Sequence, residues 1–513
     1  MRKLVLLFIL SFSGTIIFAQ TSLKEIDLPY GPYAIGYDHY TAVDSTRQYQ
    51  IANQSTHQMQ YRSIPISKWY PADMSRSKKA PLKILNYLEV LKEEEEWPYL
   101  PNVFLLDWFP YLHNTPENKK HMEEQVTAFA KAPALATPFP VVIYSPSYQA
   151  TSIENFALCE LLASHGFIVL SSPSRGANNK GMEGATAKDV HTQSRDVEFL
   201  LKEAAGLAQA NTKAIGLMGY SFGGLANTIL AMKNNSIKAV VSLDGTERYR
   251  YELLKQSPFF KLERLEVPYI HFAQKDIPEV VLKSDQIPPE LNYNFSLYDS
   301  LTHNQAYRYK FNDLTHRHFS SFGLLFGPAD IRQDKSDQKA MASYRLLAMY
   351  TLRFLKGYLY QDQQALATLD SSWTDTSEAL LVRKQSKKAR ETRGFDFRHF
   401  HDLAQAQGYS RLSDLYDHVQ KAHPSFTIAE HQLNTLGLYL SFQPDAPERG
   451  IAIFDFAISL YPNSANLLDS LAEAYLFQKD YAKAQEYFKK SLGLNAQNQN
   501  AKKRIQQLRQ KGF

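Results

Sequence analysis

Ser221 stands at the centre of Gly219-Tyr220-Ser221-Phe222-Gly223, a G-x-S-x-G pentapeptide with Gly224 behind it. A serine hydroxyl is a weak nucleophile until a base takes its proton and an acid orients that base. The pentapeptide therefore means chemistry only in the right setting. Here the apolar run AIGLM (214–218) precedes it and the helical run FGGLANTILAMK (222–233) follows, which is the strand-turn-helix context of a nucleophile elbow. Glycines two residues either side of the serine remove Cβ atoms that would collide in so sharp a turn. The turn delivers the hydroxyl to a helix N-terminus, where backbone N–H groups and the helix dipole stabilise developing negative charge. The chemistry this predicts is acyl transfer through a covalent serine intermediate.

In this arrangement the acid and the histidine follow the serine along the chain. Asp244 ends the apolar run AVVSL, and Asp276 follows PYIHFAQ (268–274). Both would sit at carboxyl ends of strands, where an open α/β sheet builds its site. His316 and His318 lie in THRHF, just after the strand-like YRYKFND (307–313). The residues alone leave the acid between Asp244 and Asp276 and the base between His316 and His318. The pairs His316/His318 and His399/His401 would each point to one face if they lay in strands. No further ligands with metal-site geometry accompany them, so no metal is expected. Cys159, the single cysteine, falls on the apolar side of a helical run and reads as a buried, inert thiol.

The elements that must position these residues can be read from Pro140 onward. PVVIYS (140–145), FIVLSS (167–172), AIGLM, AVVSL and PYIHFAQ alternate with helical stretches, including one around 187–205. That rhythm predicts βαβ units and a mostly parallel sheet. RSIPISKWYPA (62–72) reads as an antiparallel edge strand and RLLAMYTLRFLKGYL (345–359) as a long closing helix, which bounds an α/β domain at about 24–365. Between edge strand and core lies an insertion at 73–138. Within its segment Trp97–Tyr111, six of fifteen residues are aromatic, against 13% for the whole chain. These rings read either as the core of a helical subdomain or as a lid whose aromatic side chains line an apolar acyl or alcohol site, with Glu93 to Glu96 as its solvated outer face.

Residues 382–398 are basic and lack a sustained apolar face, which marks a linker, placed at 366–396. From 397 to 513 the pattern is helical, and Phe454, Ala457 and Pro462 recur 34 residues later as Phe488, Ser491 and Ala496. That period is the tetratricopeptide signature. It gives repeats at about 431–464 and 465–498 and a cap helix at 499–510, with support expected from helices at 397–428 or from the α/β domain.

Across 513 residues, 57 basic and 52 acidic side chains leave a formal charge of +5, too balanced for a protein that covers phosphate backbone. Nucleic acid is not an expected partner. Arg2 and Lys3 followed by the apolar run Leu4 to Ala19 read as a signal peptide cleaved after Ala19. The mature protein is then expected outside the cytoplasm, periplasmic or extracellular. No later segment approaches the ~18 apolar residues of a membrane span.

GPYAIGYDHYTAVDSTR (31–47) with SKWYPA (67–72), PFPVVIYSPS with ASHGFIVLSSPSRG (163–176), GYSFGG, AVVSLDG and LTHRHFSSF (314–322) together resemble the platelet-activating factor acetylhydrolase family and its bacterial esterase relatives, near the dienelactone hydrolases. The resemblance implies an α/β-hydrolase fold with Ser221 as nucleophile, Asp244 as acid and His316 as base, and no cofactor. It also marks a departure. Relatives carry a His-Gly-x-Gly loop after the first core strand, whereas this chain has Ser145-Pro146-Ser147-Tyr148-Gln149. The Tyr148 N–H then matches one oxyanion donor and the Phe222 N–H the other, in a stiffer loop.

The expectation is an exported serine hydrolase that cleaves a hydrophobic or amphiphilic carboxylic ester and binds a protein partner through its tail. The alternatives are a scaffold protein with an impaired hydrolase domain, or a serine peptidase on the same fold.

Overall fold

The computed structural model describes residues 21–50, 59–75, 79–109, 112–328, 334–370, 376–387, 395–443, 446–510 and 512. The signal-peptide segment and Tyr111 lie outside them. The chain divides into two compact units, Met1–Arg390 and Glu391–Phe513.

The first unit is built on a ten-stranded sheet. Its strands in chain order are β1 (Ala34–Gln50), β2 (Met59–Ala72), β3 (Ala128–Ala130), β4 (Phe139–Ser145), β5 (Ile168–Ser171), β6 (Ala210–Tyr220), β7 (Ile237–Leu243), β8 (Tyr269–Ala273), β9 (Ala306–Phe311) and β10 (Val382–Lys387). Their spatial order is β10-β9-β8-β7-β6-β4-β5-β2-β1-β3. The six central strands from β9 to β5 run parallel, while β2 and β10 pair antiparallel with their inner neighbours. Side chains on a strand alternate between faces. Val142 and Tyr144 of β4 therefore enter one hydrophobic cluster with the helices Phe156–Ser164 and Gln338–Leu359, while Val141 and Ile143 enter the other with Ala187–Ala205 and Phe222–Lys233. Both faces are covered, as a parallel sheet requires.

Register brings the chemistry to one edge of the sheet. Ser145 of β4 pairs with Gly219 of β6, Tyr220 of β6 with Leu243 of β7, and Leu243 with Phe272 of β8. The loops that follow these strands, at 146–149, 221, 244 and 274, thus leave the sheet side by side.

The structure differs from the sequence reading at both flanks. Strand β2 is antiparallel but not an edge, because β1 and β3 lie outside it. The stretch 366–396, read as linker, contributes the end of helix Gln363–Asp370, helix Thr376–Leu381 and strand β10. In β10 only Val382 is buried. Backbone pairing with β9 holds this strand, so its remaining side chains are polar or charged, at least partly exposed, and carry no apolar pattern; such charges also discourage further pairing at an edge.

The insertion is pinned to the core by a buried polar chain. The Trp69 indole donates to the Tyr87 hydroxyl (2.8 Å), which donates to Glu160 (2.7 Å), and the Thr127 N–H reaches the other oxygen of that carboxylate (3.1 Å). Burial pushes the Glu160 carboxyl up to about 7. The folded chain therefore holds a proton there that the unfolded chain releases near 4.5, so this group's contribution to stability is full below that value and is lost as pH rises through about 7. Glu160→Gln has no charge to bury. Its Tm relative to the native chain is expected to improve by several degrees between pH 5 and pH 8, measured by thermal melts; a constant offset would place the ionisation elsewhere.

The second unit is all-helical. It comprises Phe397–Ala406, Leu412–Ala422, Glu430–Ser441, Glu448–Leu460, Ala465–Phe477, Tyr481–Leu494 and Gln499–Gln510. A Cβ on Gly437 would stand 2.8 Å from the Phe454 ring, so the small residue is what lets these two helices meet. Phe400 stacks on Phe456 at 5.7 Å, joining the helices Phe397–Ala406 and Glu448–Leu460. Among the described residues no helix is long and apolar enough to cross a membrane.

Candidate active site

Ser221 lies between the end of β6 and the helix Phe222–Lys233, with φ 51° and ψ −116°. Its N–H donates to the Leu243 carbonyl (3.1 Å), and its own carbonyl accepts the N–H groups of Thr246 (2.8 Å) and Gly224 (3.0 Å). Both flanking glycines are sterically required. A Cβ on Gly219 would stand 2.6 Å from the Gly223 carbonyl carbon, and one on Gly223 would stand 2.1 Å from the Ser145 carbonyl oxygen.

His316, on the short helical turn His316–Phe319 after β9, places Nε2 2.9 Å from Ser221 Oγ and Nδ1 2.6 Å from Asp244 Oδ2. Asp244 is fully buried. Burial alone would raise its carboxyl, but the hydrogen bond and charge of His316, with Arg248 at 3.6 Å, outweigh it and hold it below the usual range. The carboxylate stays ionised where it must orient the imidazole. The imidazole is fixed from behind as well. The His316 N–H donates to the Gln274 side-chain oxygen (2.9 Å), and the Tyr220 hydroxyl donates to the His316 carbonyl (2.9 Å).

Three supporting groups escaped the sequence reading. The Tyr249 hydroxyl donates to Asp244 at 3.1 Å, and the Gln274 backbone N–H reaches the same carboxylate at 3.1 Å. Gln274 lies in the segment AQKD that raised Asp276 as the acid; the location bears on the site, but through Gln274. Asp276 itself is half exposed and forms an ion pair with Lys310. The third group is Glu154. It is buried and takes both the N–H (2.9 Å) and the hydroxyl (2.6 Å) of Ser147. Burial pushes its carboxyl up to about 7.

Glu154 tethers the loop 145–149, which is also fixed by Ser145 Oγ on Asn227 (2.7 Å) and by Gln193 on the Pro146 carbonyl (3.0 Å). Side-chain anchors therefore fix the loop. It carries Tyr148 to Phe222, ring to ring at 5.7 Å and edge-on, so the two residues whose N–H groups are the candidate oxyanion donors are neighbours. Phe222 is the first residue of its helix, and its N–H has no carbonyl within that helix to bond.

His318 does not join this group. It is buried, its Nδ1 lies 3.3 Å from the Thr315 N–H, and burial, followed by the Arg317 charge, lowers it to about 3. Neither H-x-H pair lies in a strand. His316/His318 and His399/His401 sit on helical turns, where residues two apart diverge; His399 meets Asp396 at 2.8 Å and His401 meets Tyr409 at 2.9 Å. Cys159 is buried, and burial raises its thiol well above the usual value.

The insertion is neither simply core nor simply lid. Tyr99 is 89% exposed while Phe109 is buried against Phe322 at 5.3 Å. Of the glutamates beside it, Glu93 and Glu96 are exposed as expected, but the other two are not. Glu94 is buried and accepts the Ser152 N–H (3.1 Å) and hydroxyl, and Glu95 pairs with Arg175. The partners that draw these carboxylates inward are distant in the sequence.

The sheet, its flanking helices and the elbow are those of an α/β-hydrolase fold. Residues 126–303 match the model of the Dienelactone hydrolase family. That stretch is about a third of the chain and contains Ser221 and Asp244 but stops short of His316. No curated protein matches the chain. Among solved structures it is similar to a ferulic acid esterase from Streptomyces cinnamoneus, at 19% identity and a TM-score of 0.50, over 70% of this chain and 98% of that one.

Proposed function

We propose that this chain is a serine hydrolase that cleaves carboxylic esters through an acyl-enzyme. The observation that carries the reading is the continuous path from Ser221 Oγ through His316 to Asp244 Oδ2, at 2.9 and 2.6 Å. Ser221 Oγ attacks the ester carbonyl carbon as its proton passes to His316 Nε2, and Asp244 holds the Nδ1–H and stabilises the imidazolium. The carbonyl oxygen, now negative, accepts the N–H groups of Tyr148 and Phe222. Collapse of the intermediate expels the alcohol, which takes the His316 proton. Water then gives a proton to His316, attacks the acyl carbon, and releases the acid and free Ser221. The stretch similar to the dienelactone hydrolases and the resemblance to platelet-activating factor acetylhydrolases both favour this chemistry over a scaffold with an idle hydrolase domain. A fluorophosphonate should label the intact protein at Ser221, located by peptide mass; a folded protein that does not label would refute the reading.

The proposal extends to the ends of the chain. The N-terminal apolar run directs export, and the paired helices of the second unit form a tetratricopeptide-like module that takes a protein partner. Catalysis then belongs to the first unit alone. A chain ending at Arg390 is expected to label at the native rate. One ending at Gln361 loses β10 and the Asp370 carboxylate that accepts the Tyr307 hydroxyl at 3.0 Å, and it should be recovered largely insoluble. Failure of the longer form to label while folded would show that the tail shapes the site.

A further inference from the structure

A cavity of about 1080 Å³ opens beside the oxyanion loop, at the upper end of what small-molecule sites occupy, about 300–1,000 Å³. One wall is Tyr148 to Thr151. Ser221 and His316 are not among its lining residues; Tyr148, whose ring packs edge-on against Phe222, the residue after Ser221, is the lining residue that links the cavity to the candidate site. Trp108 and Phe109 of the insertion line another part of it, with Glu93 to Glu96 beside them.

The remaining lining decides what it can hold. Arg62 is tied to Asp196 at 2.6 Å and Arg175 to Glu95, so neither guanidinium is free to meet an anion. The charged side chains left over are Glu93 and Glu96 against Lys180, with Glu94 buried on Ser152, an excess of negative charge that disfavours carboxylates and phosphates. Glu93 is 62% exposed, and an ion pair formed there with a cationic ligand would gain little through water. A long alkyl chain would strip water from the carboxylates and from the amides of Gln60, Gln149 and Asn178 without returning a hydrogen bond. A hydroxyl both donates and accepts, so it satisfies carboxylates and amides alike. The Trp108 ring adds a surface for the C–H face of a ring carrying such hydroxyls.

We propose that this cavity holds the alcohol portion of the substrate and that this portion is neutral and polyhydroxylated, a sugar-like group. A sugar without a carboxyl has only hydroxyls to esterify, so it enters an ester as its alcohol. The inference rests on Ser221 being the nucleophile, and it replaces the apolar site expected from the aromatic run alone. Trp108 and Phe109 line a cavity that Ile64, Pro65, Leu91 and Pro173 also border, with carboxylates and amides interleaved among them.

The test uses the full-length protein and four acetate esters of different alcohols: methyl 6-O-acetyl-glucoside, hexyl acetate, acetylcholine and p-nitrophenyl acetate. The sugar ester should exceed hexyl acetate and acetylcholine at least tenfold in kcat/KM, with the difference in KM. Trp108→Ala, and independently the exposed Asn178→Ala, should each shrink that preference to under threefold. A labelled, active enzyme that prefers hexyl acetate or acetylcholine overturns the inference alone, as does a sugar preference that both variants leave intact. A protein that neither labels with a fluorophosphonate nor turns over any of the four esters overturns the hydrolase reading, and the inference with it.

Discussion

Ser221→Ala is expected to lower kcat for short activated esters by about 10⁶-fold while leaving the melting transition within a degree or two of native. Among the described residues, the hydroxyl it removes meets His316 at 2.9 Å and Thr246 at 3.4 Å. The backbone bonds that hold the turn involve the Ser221 N–H and C=O, which alanine retains. Initial rates on p-nitrophenyl acetate, beside a thermal melt, decide the matter. Activity within tenfold of native would mean that another group performs the attack.

The second large effect separates the two carboxylates. Asp244→Asn should cost ~10⁴-fold in kcat, because an amide no longer fixes the imidazole tautomer that presents a free Nε2 to Ser221. The variant must be shown to be folded, since it also leaves Arg248, 3.6 Å away and buried, without its counter-charge. Asp276→Asn removes one surface ion pair with Lys310 and should change kcat by less than threefold. Equal losses in the two folded variants would remove Asp244 from its assigned role.

What was legible in the sequence and what was not follow from how far each feature reaches. The elbow is a local pattern. Its glycines, the preceding strand and the following helix are all contiguous, and each glycine proves necessary for contacts within a few residues of it or with the adjacent strand. Asp244 and His316 could be located because strand ends are legible, although choosing them over Asp276 and His318 needed a resemblance to known proteins. Glu154, Tyr249 and Gln274 could not be assigned roles, since what makes each matter is a neighbour across space. A buried glutamate in a loop has no sequence signature at all. Within the run Glu93 to Glu96, whose outer members are exposed as expected, Glu94 and Glu95 misled for the same reason: they read as solvated unless Ser152 and Arg175 are known to face them. Strand β10 was missed because edge strands are held by backbone bonds, which side-chain patterns do not report.

The backbone of Ser221, at φ 51° and ψ −116°, lies where a residue other than glycine costs of order 1–3 kcal/mol. Domains of this kind carry a total folding free energy of about 5–15 kcal/mol, so one turn consumes a visible share of it. Selection for thermal endurance alone would place glycine at 221 and let the turn relax. The chain keeps serine, and with Ser221 as the proposed nucleophile the elbow becomes a position where durability is traded for reactivity. Any programme to harden this protein for practical use should therefore seek its gains elsewhere, in the caps and exposed loops, and treat a stabilising change at 221 as a warning that catalysis has been lost.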